Sequence, residues 1–190
     1  TWEDEDGDYV ERQETAYRDY DEYSNAREQE VWRYGKDPSS GAERLVERKV
    51  IKSEFSGLWR SKAQASVMTA AAYDEDNVFV EAQRVTYSAY DNYGNALDQA
   101  VERFSDAGLA NLLDRKVIAS VYSDTSEHKG QVSVSEIRTY DEAGAFVEAQ
   151  KVTYASYDNY NNSLKQTVER FSSAAFAVGP RQQLLAEHCL

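Results

Sequence analysis

The residues from Tyr73 to Ser105 are written a second time, without a gap, from Tyr140 to Ser172. The first passage reads YDEDNVFVEAQRVTYSAYDNYGNALDQAVERFS and the second YDEAGAFVEAQKVTYASYDNYNNSLKQTVERFS, identical at 23 of 33 positions. A diverged copy, EDEDGDYVERQETAYRDYDEYSNAREQEVWRY, runs from Glu3 to Tyr34, with Glu3 in the place of Tyr73. A chain that repeats itself at a fixed period, here about 67 residues, is expected to fold as equivalent units, each seated on its neighbours. The match reaches beyond these passages, because Arg48-Lys49-Val50-Ile51 returns at the same offset as Arg115-Lys116-Val117-Ile118. The period is therefore a whole structural unit. It divides the chain into a partial first copy (1–34), a second copy with a Pro/Ser/Gly loop at 35–41 (35–105), a third copy (106–172), and a tail or start of a further connection (173–190).

Within each copy the pattern reads as strand, turn, strand. Phe79 to Tyr90 places Val85 and Tyr87 on one face and Val80, Ala82 and Tyr90 on the other. Asp91-Asn92-Tyr93-Gly94-Asn95 follows, with an Asp able to close an Asx turn and a Gly free to take positive φ. The counterparts are Asp21-Glu22-Tyr23-Ser24-Asn25 and Asp158-Asn159-Tyr160-Asn161-Asn162. Ala96 to Ser105 returns as the partner strand. A second series of marks, Tyr73-Asp74 and Tyr140-Asp141, precedes Tyr90-Asp91 and Tyr157-Asp158 by the same interval in both copies. Each unit is expected to hold about three strand-turn elements and one longer connection. Leu97, Val101 and Phe104 also share a helical face, but the Val, Thr and Tyr that crowd the preceding segment favour strand. The stretch 57–72 reads as strand or helix, with the repeat favouring strand, and Ser105 to Lys116 is expected to form a short helix.

Fourteen Tyr stand against six Phe, three Trp and one Met. Tyr suits half-wet surfaces with apolar area and a polar tip. The fold class expected is all-β, mainly antiparallel: tandem β-hairpin repeats of about 67 residues forming an extended ribbon, solenoid or shell, each unit burying an apolar face on the next. A net charge of −13 argues against nucleic acid and anionic membranes as partners. No apolar run approaches the ~20 residues of a membrane span. One cysteine, Cys189, excludes an internal disulfide framework and any multi-cysteine metal site. With Thr1 at the start and no signal peptide, the chain is expected to be a piece of a longer array.

The turn phrases VTYSAYDNYGNAL and VTYASYDNYNNSL resemble the YD repeats of the Rhs family, found also in Tc-toxin shells and teneurins. Tyr90-Asp91-Asn92-Tyr93-Gly94 follows the family order of strand, Tyr-Asp, two residues, Gly and strand. Tyr140-Asp141-Glu142-Ala143-Gly144 does so too, while Tyr157-Asp158 and Tyr20-Asp21 lack the Gly. This chain departs by nesting the marks in a longer repeated unit and by lacking regular Arg placement. The resemblance implies a hairpin ribbon that spirals into a hollow shell or tube, in a large secreted or cell-surface protein that in some members encloses a toxic domain.

Candidate chemistry is sparse, and the expectation is a protein that is not an enzyme and takes no cofactor. Asp4-Glu5-Asp6-Gly7-Asp8 has the oxygen density of a calcium loop. Its counterparts Asp74-Glu75-Asp76-Asn77 and Asp141-Glu142-Ala143-Gly144 lose that acid progressively, which favours a plain acidic turn. His128 and His188 share no ligand spacing with Cys or acid. The residues singled out are structural turn residues: Tyr20, Asp21, Tyr90, Asp91, Gly94, Tyr140, Asp141, Tyr157 and Asp158. The expected function is an extracellular structural repeat module whose partners are neighbouring repeats of the same chain, with self-association. Alternatives are adhesion through a Tyr-rich face to glycan or a surface protein, and a shell around a domain elsewhere in the parent chain.

Overall fold

The structure is a computed structural model that describes residues 2–3, 9–37, 39–122 and 130–176, with backbone alone at 2, 3, 9 and 10. Among the described residues, eleven strands form one antiparallel sheet: β1 (Trp2–Glu3), β2 (Tyr9–Tyr20), β3 (Ala26–Lys36), β4 (Glu43–Glu54), β5 (Val67–Tyr73), β6 (Phe79–Tyr90), β7 (Ala96–Phe104), β8 (Leu112–Tyr122), β9 (Val132–Asp141), β10 (Phe146–Tyr157) and β11 (Ser163–Phe171). Their order in the sheet is their order in the chain. The all-β, antiparallel class is thus observed. Among the described residues no second sheet or helical layer covers either face. A single layer can be held only by its backbone ladder and by side chains touching across adjacent strands.

Four strands, not three, fill each sequence period. β4 to β7 correspond in position to β8 to β11, and β6 and β10 begin and end one period apart with nearly the same burial pattern. The longer connection expected from sequence is itself part of the meander. Successive groups of strands join edge to edge through the β7–β8 ladder, from Asp98 opposite Ala119 to Phe104 opposite Leu112. They do not join by laying one face on another.

The few buried apolar residues lie on both faces. Ala82 pairs with Phe104 across β6 and β7, and Ala149 with Phe171 across β10 and β11. On the other face Val85 pairs with Val101 and Val152 with Val168. Ala82, Val85, Phe104, Ala149 and Val152 are buried, with Ala149 fully so. Loops cover the first face locally. Leu109, in the β7–β8 loop, shares a cleft with Ala82, and Phe176 packs edge-on against Phe171 at 5.2 Å. Ion pairs tie strands elsewhere, including Arg84 with Glu102 at 2.8 Å and Arg103 with Asp114.

Three local expectations are corrected. Ser105 to Lys116 is a loop followed by β8, because the Asp106 carboxylate accepts from the N–H groups of Ala110 and Asn111 and Leu109 takes φ 59°, bonds that compete with helix. A short 3-10 helix is found instead at Gly57–Lys62. It ends at Ala63, in the left-handed region at φ 56°, and β5 follows from Val67. Gly35 and Lys36 belong to β3, paired with Arg44 and Glu43, so the loop begins only at Asp37.

Candidate functional site

Among the described residues, five turns are wired alike. In each, the backbone N–H of an Asp donates to the carbonyl four residues on, and the N–H three residues on donates back to the Asp carbonyl. These turns start at Asp21, Asp74, Asp91, Asp141 and Asp158. In each, the Asp Oδ1 also accepts from the backbone N–H groups two and four residues later, at 2.8–3.0 Å. One carboxylate oxygen thus replaces the partners that a tight turn denies its own backbone. The residue before the last takes positive φ at every turn: Ser24 at 65°, Asn77 at 60°, Gly94 at 89°, Gly144 at 80° and Asn161 at 67°. Only Gly reaches that region without steric cost, and Asn is the next best suited.

Three of the turns add a second device. The Nδ2 groups of Asn25, Asn95 and Asn162 donate to the remaining oxygen, Oδ2, of Asp21, Asp91 and Asp158 at 2.7–3.0 Å. These three Asn residues were not singled out from sequence, although their recurrence at one fixed place after Tyr-Asp was there to be seen. For Asp91, burial alone would push the carboxyl up, but the Asn95 side chain and the Asn95, Tyr93 and Gly94 N–H groups outweigh it and hold it low. The same balance lowers Asp21, where burial is opposed by Asn25 and Arg60. At Asp158 the Asn162 side chain is the main cause of lowering.

The tyrosines before two of these turns, Tyr90 and Tyr157, act through a bulge. Register shifts between Tyr87 and Ala89 in β6, and between Tyr154 and Ser156 in β10, insert an extra residue into the strand. The bulge brings residues three apart onto one face, so Tyr87 stacks with Tyr90 at 5.5 Å and Tyr154 with Tyr157 at 6.0 Å. Strict alternation had placed Tyr87 and Tyr90 on opposite faces; the bulge overrides it. The Tyr90 hydroxyl donates to the Ala65 carbonyl at 2.7 Å and the Tyr157 hydroxyl to the Val132 carbonyl at 2.6 Å, each reaching back across the sheet to an earlier part of the chain. Burial, followed by Tyr87, pushes the Tyr90 phenol up to about 12. Burial raises Tyr157 as well. Tyr20 is 57% exposed and meets no such carbonyl among the described residues. Tyr140 plays a different part, packing edge-on against Phe146 as Tyr73 does against Phe79.

The turns at 21–25, 91–95 and 158–162 share one rim of the sheet with the β4–β5 connection, and that connection links two of them. Arg60 of the 3-10 helix donates from Nε to Asp21 Oδ2 at 3.1 Å, while its carbonyl accepts from Asn25 at 2.9 Å. Its neighbour Trp59 packs edge-on against Tyr90 at 5.1 Å. Gln131 donates to Asn161 at 2.7 Å, and Gly94 lies so close to Gln64 that an added Cβ would stand 3.0 Å from Nε2. Contacts of this kind therefore recur along the rim from Asp21 to Asn161. Neither Arg60 nor Gln64 was visible as a site residue in sequence.

No convergence of three His, Cys, Asp or Glu side chains suited to a metal ion is found among the described residues. Asp4 to Asp8, His128, His188 and Cys189 lie outside them. Asp74 and Asp76 are held in turn geometry, with Glu75 paired to Arg44 and Asn77 to Arg48. No helix among the described residues is long and apolar enough to cross a membrane.

No protein-family model matches the chain, and no curated protein sequence does. A solved structure of a protein of unknown function from Bacteroides fragilis is 16% identical and aligns over 83% of this chain and 93% of its own. Its TM-score is 0.20, too low for the likeness to bear on fold or function.

Proposed function

We propose that this chain is a non-enzymatic scaffold segment: a β-sheet lengthened by one group of four strands per sequence period, in a large secreted or cell-surface protein of the YD-repeat kind. The observation that supports this reading most directly is the return of the same bond. Tyr90 to Ala65 and Tyr157 to Val132 are the same donor and acceptor moved on by one period, each beside the same stacked pair and the same Asp-Asn turn. In this reading the Tyr-Asp turns fix the length and twist of each hairpin, and the hydroxyl bonds lock each hairpin to the one before. The partners are adjacent groups of the same chain.

The test is an excision in register. Removing residues 66–132 joins Ala65 to Ser133, at equivalent points of two successive groups. The shortened chain is expected to unfold cooperatively and to measure about 19 Å less along the sheet by X-ray scattering, four strands at ~4.8 Å each. A control excision of similar size, cut out of register, is expected to aggregate. If the in-register excision is as poorly folded as the control, the scaffold reading fails.

A second reading, adhesion, is favoured by one feature. Tyr23, Tyr93 and Tyr160 stand at the same position of three turns on one rim, 53%, 59% and 86% exposed. Rings so displayed stack readily on sugar faces or on a partner's apolar surface. Retention of the chain on a glycan array, abolished by the triple Tyr→Ser variant, is the result this reading requires.

A further inference from the structure

A cleft of about 310 Å³ opens on the first face of the sheet, between β5 and the β7–β8 loop. Its floor is Ala71, with Val50 and Ala82 on the adjacent strands and Leu109 above. The corresponding place one period later is filled. Arg138 stands in β9 as Ala71 stands in β5, opposite Val117 on one side and Ala149 on the other, where Ala71 has Val50 and Ala82. Its guanidinium lies 4.5 Å from the ring centre of Phe176, the counterpart of Leu109. Its Nε donates to the carbonyl of Ala174 at 2.9 Å, and Nη2 lies 3.6 Å from Glu136.

Each of these positions has an equivalent around the cleft. Ala174 corresponds to Ala107, whose carbonyl has no donor among the described residues, and Glu136 corresponds to Thr69. From this we infer that the cleft over Ala71 is a binding site for an arginine side chain presented by a partner polypeptide. The fold already builds this seat once with its own arginine; around the cleft the arginine is absent, Leu109 stands for the Phe176 ring and Thr69 for the Glu136 carboxylate. A guanidinium entering over Ala71 would donate to the Ala107 carbonyl and the Thr69 hydroxyl. Its methylene stem would lie on Ala71, Ala82 and Leu109, an arrangement suited to an amphipathic cation. Lys52 also borders the cleft, directly opposite Thr69 in the β4–β5 ladder; its side chain is 65% exposed and its ammonium lies 3.9 Å from Glu28, a pair that water screens. The net charge of −13 draws a cationic partner to the molecule as a whole. The inference rests on the internal equivalence of the two places and stands whether or not the chain is a scaffold.

The probes are the capped tripeptides Gly-Arg-Gly and Gly-Lys-Gly, titrated into the 15N-labelled chain. Saturable shifts are expected at the amides of Ala71, Gly108 and Leu109 with the arginine peptide, at an affinity at least about tenfold above that of the lysine peptide. A71R supplies the side chain in cis and is expected to abolish the response. T69E restores the missing counter-ion and is expected to tighten binding several-fold. Unsaturable shifts, equal response to the two peptides, or an undiminished response in A71R would each overturn the proposal. Should A71R fail to fold, T69E decides, and the absence of tightening then overturns it.

Discussion

Tyr90 and Tyr157 make the same hydroxyl bond one period apart, while Tyr20, at the equivalent place, is exposed and makes none among the described residues, so removing each hydroxyl tests what that bond contributes. Replacing Tyr90 by Phe keeps the ring that stacks on Tyr87 and meets Trp59, and deletes only the 2.7 Å bond to the Ala65 carbonyl. A neutral intramolecular hydrogen bond contributes about 0.5–1.5 kcal/mol net. The site is only half-buried, so the abandoned carbonyl recovers some solvation, and we expect a loss of about 1 kcal/mol for Tyr90→Phe. Tyr157→Phe breaks the same bond one period later and is expected to cost the same. The two sites are four strands apart, so the double variant should lose the sum, about 2 kcal/mol, as independent sites do. Tyr20→Phe removes a hydroxyl that has no such acceptor among the described residues and should be neutral within about 0.3 kcal/mol, the scale of exposed substitutions. Urea denaturation followed by near-UV circular dichroism reads all four variants, with an unchanged m-value showing that the unfolded state is not altered. The raised phenol adds a pH signature. A group whose folded pKa lies above its unfolded value stabilises fully below the unfolded value, ~10, and loses that contribution as pH rises toward about 12. Stability should therefore fall between those limits in the wild type and fall less in Tyr90→Phe. Equal costs at Tyr20 and Tyr90, or no cost at Tyr90, would refute the reasoning.

Asp91→Ala removes the acceptor for Tyr93 and Asn95 and is expected to cost on the order of 1 kcal/mol, read from the denaturation midpoint. Because the folded carboxyl is held low, its contribution is present above the unfolded value of ~3.9 and is lost as pH falls below it; Asp91→Asn should flatten that acid limb. Gly94→Asn imitates Asn161 and displaces only the end of Gln64, so it should cost about 1 kcal/mol or less. Gly94→Val puts a branched side chain at φ 89° and should cost about 2 kcal/mol or more, a ranking that thermal melts can check. Ala149→Leu overfills a fully buried position between Arg138 and Phe171 and should lose about 1–3 kcal/mol, while Val147→Leu, at an exposed position of the same strand, should lose little.

The repeat made the strands legible, since period-two alternation and Tyr-Asp turns sit at matching places in each copy. It marked the fourth strand less sharply, since 57–72 reads as strand or helix with only the repeat favouring strand. In the first full group that strand is the short, alanine-rich β5, preceded by a 3-10 helix that has no parallel text in the second. Nor could alternation alone place Tyr90, because a bulge is one inserted residue and leaves no mark in composition. Ser105 to Lys116 misled because Asp106 and Leu109 serve a loop as readily as a helix start. The Asp-Asn clamp was legible, as Asn25, Asn95 and Asn162 show. Arg60 and Gln64 were not, because they meet the turns only across strands that lie far apart in sequence. The cleft over Ala71 emerges only when two places in one folded chain are compared.

A sheet whose spatial order equals its chain order has a mechanical consequence. Tension applied to the two ends of the chain pulls on the outermost strands, and each ladder is loaded from its end, one hydrogen-bonded pair at a time, like a zip. No strand is sheared against several others at once. A strand that peels away with its turn, such as the stretch from Asp74 to Asp91, releases about 58 Å of extended chain at ~3.4 Å per residue. Such a sheet resists little but lengthens greatly and in similar steps, and its neighbouring hairpins remain folded as templates for re-closing when the load is released.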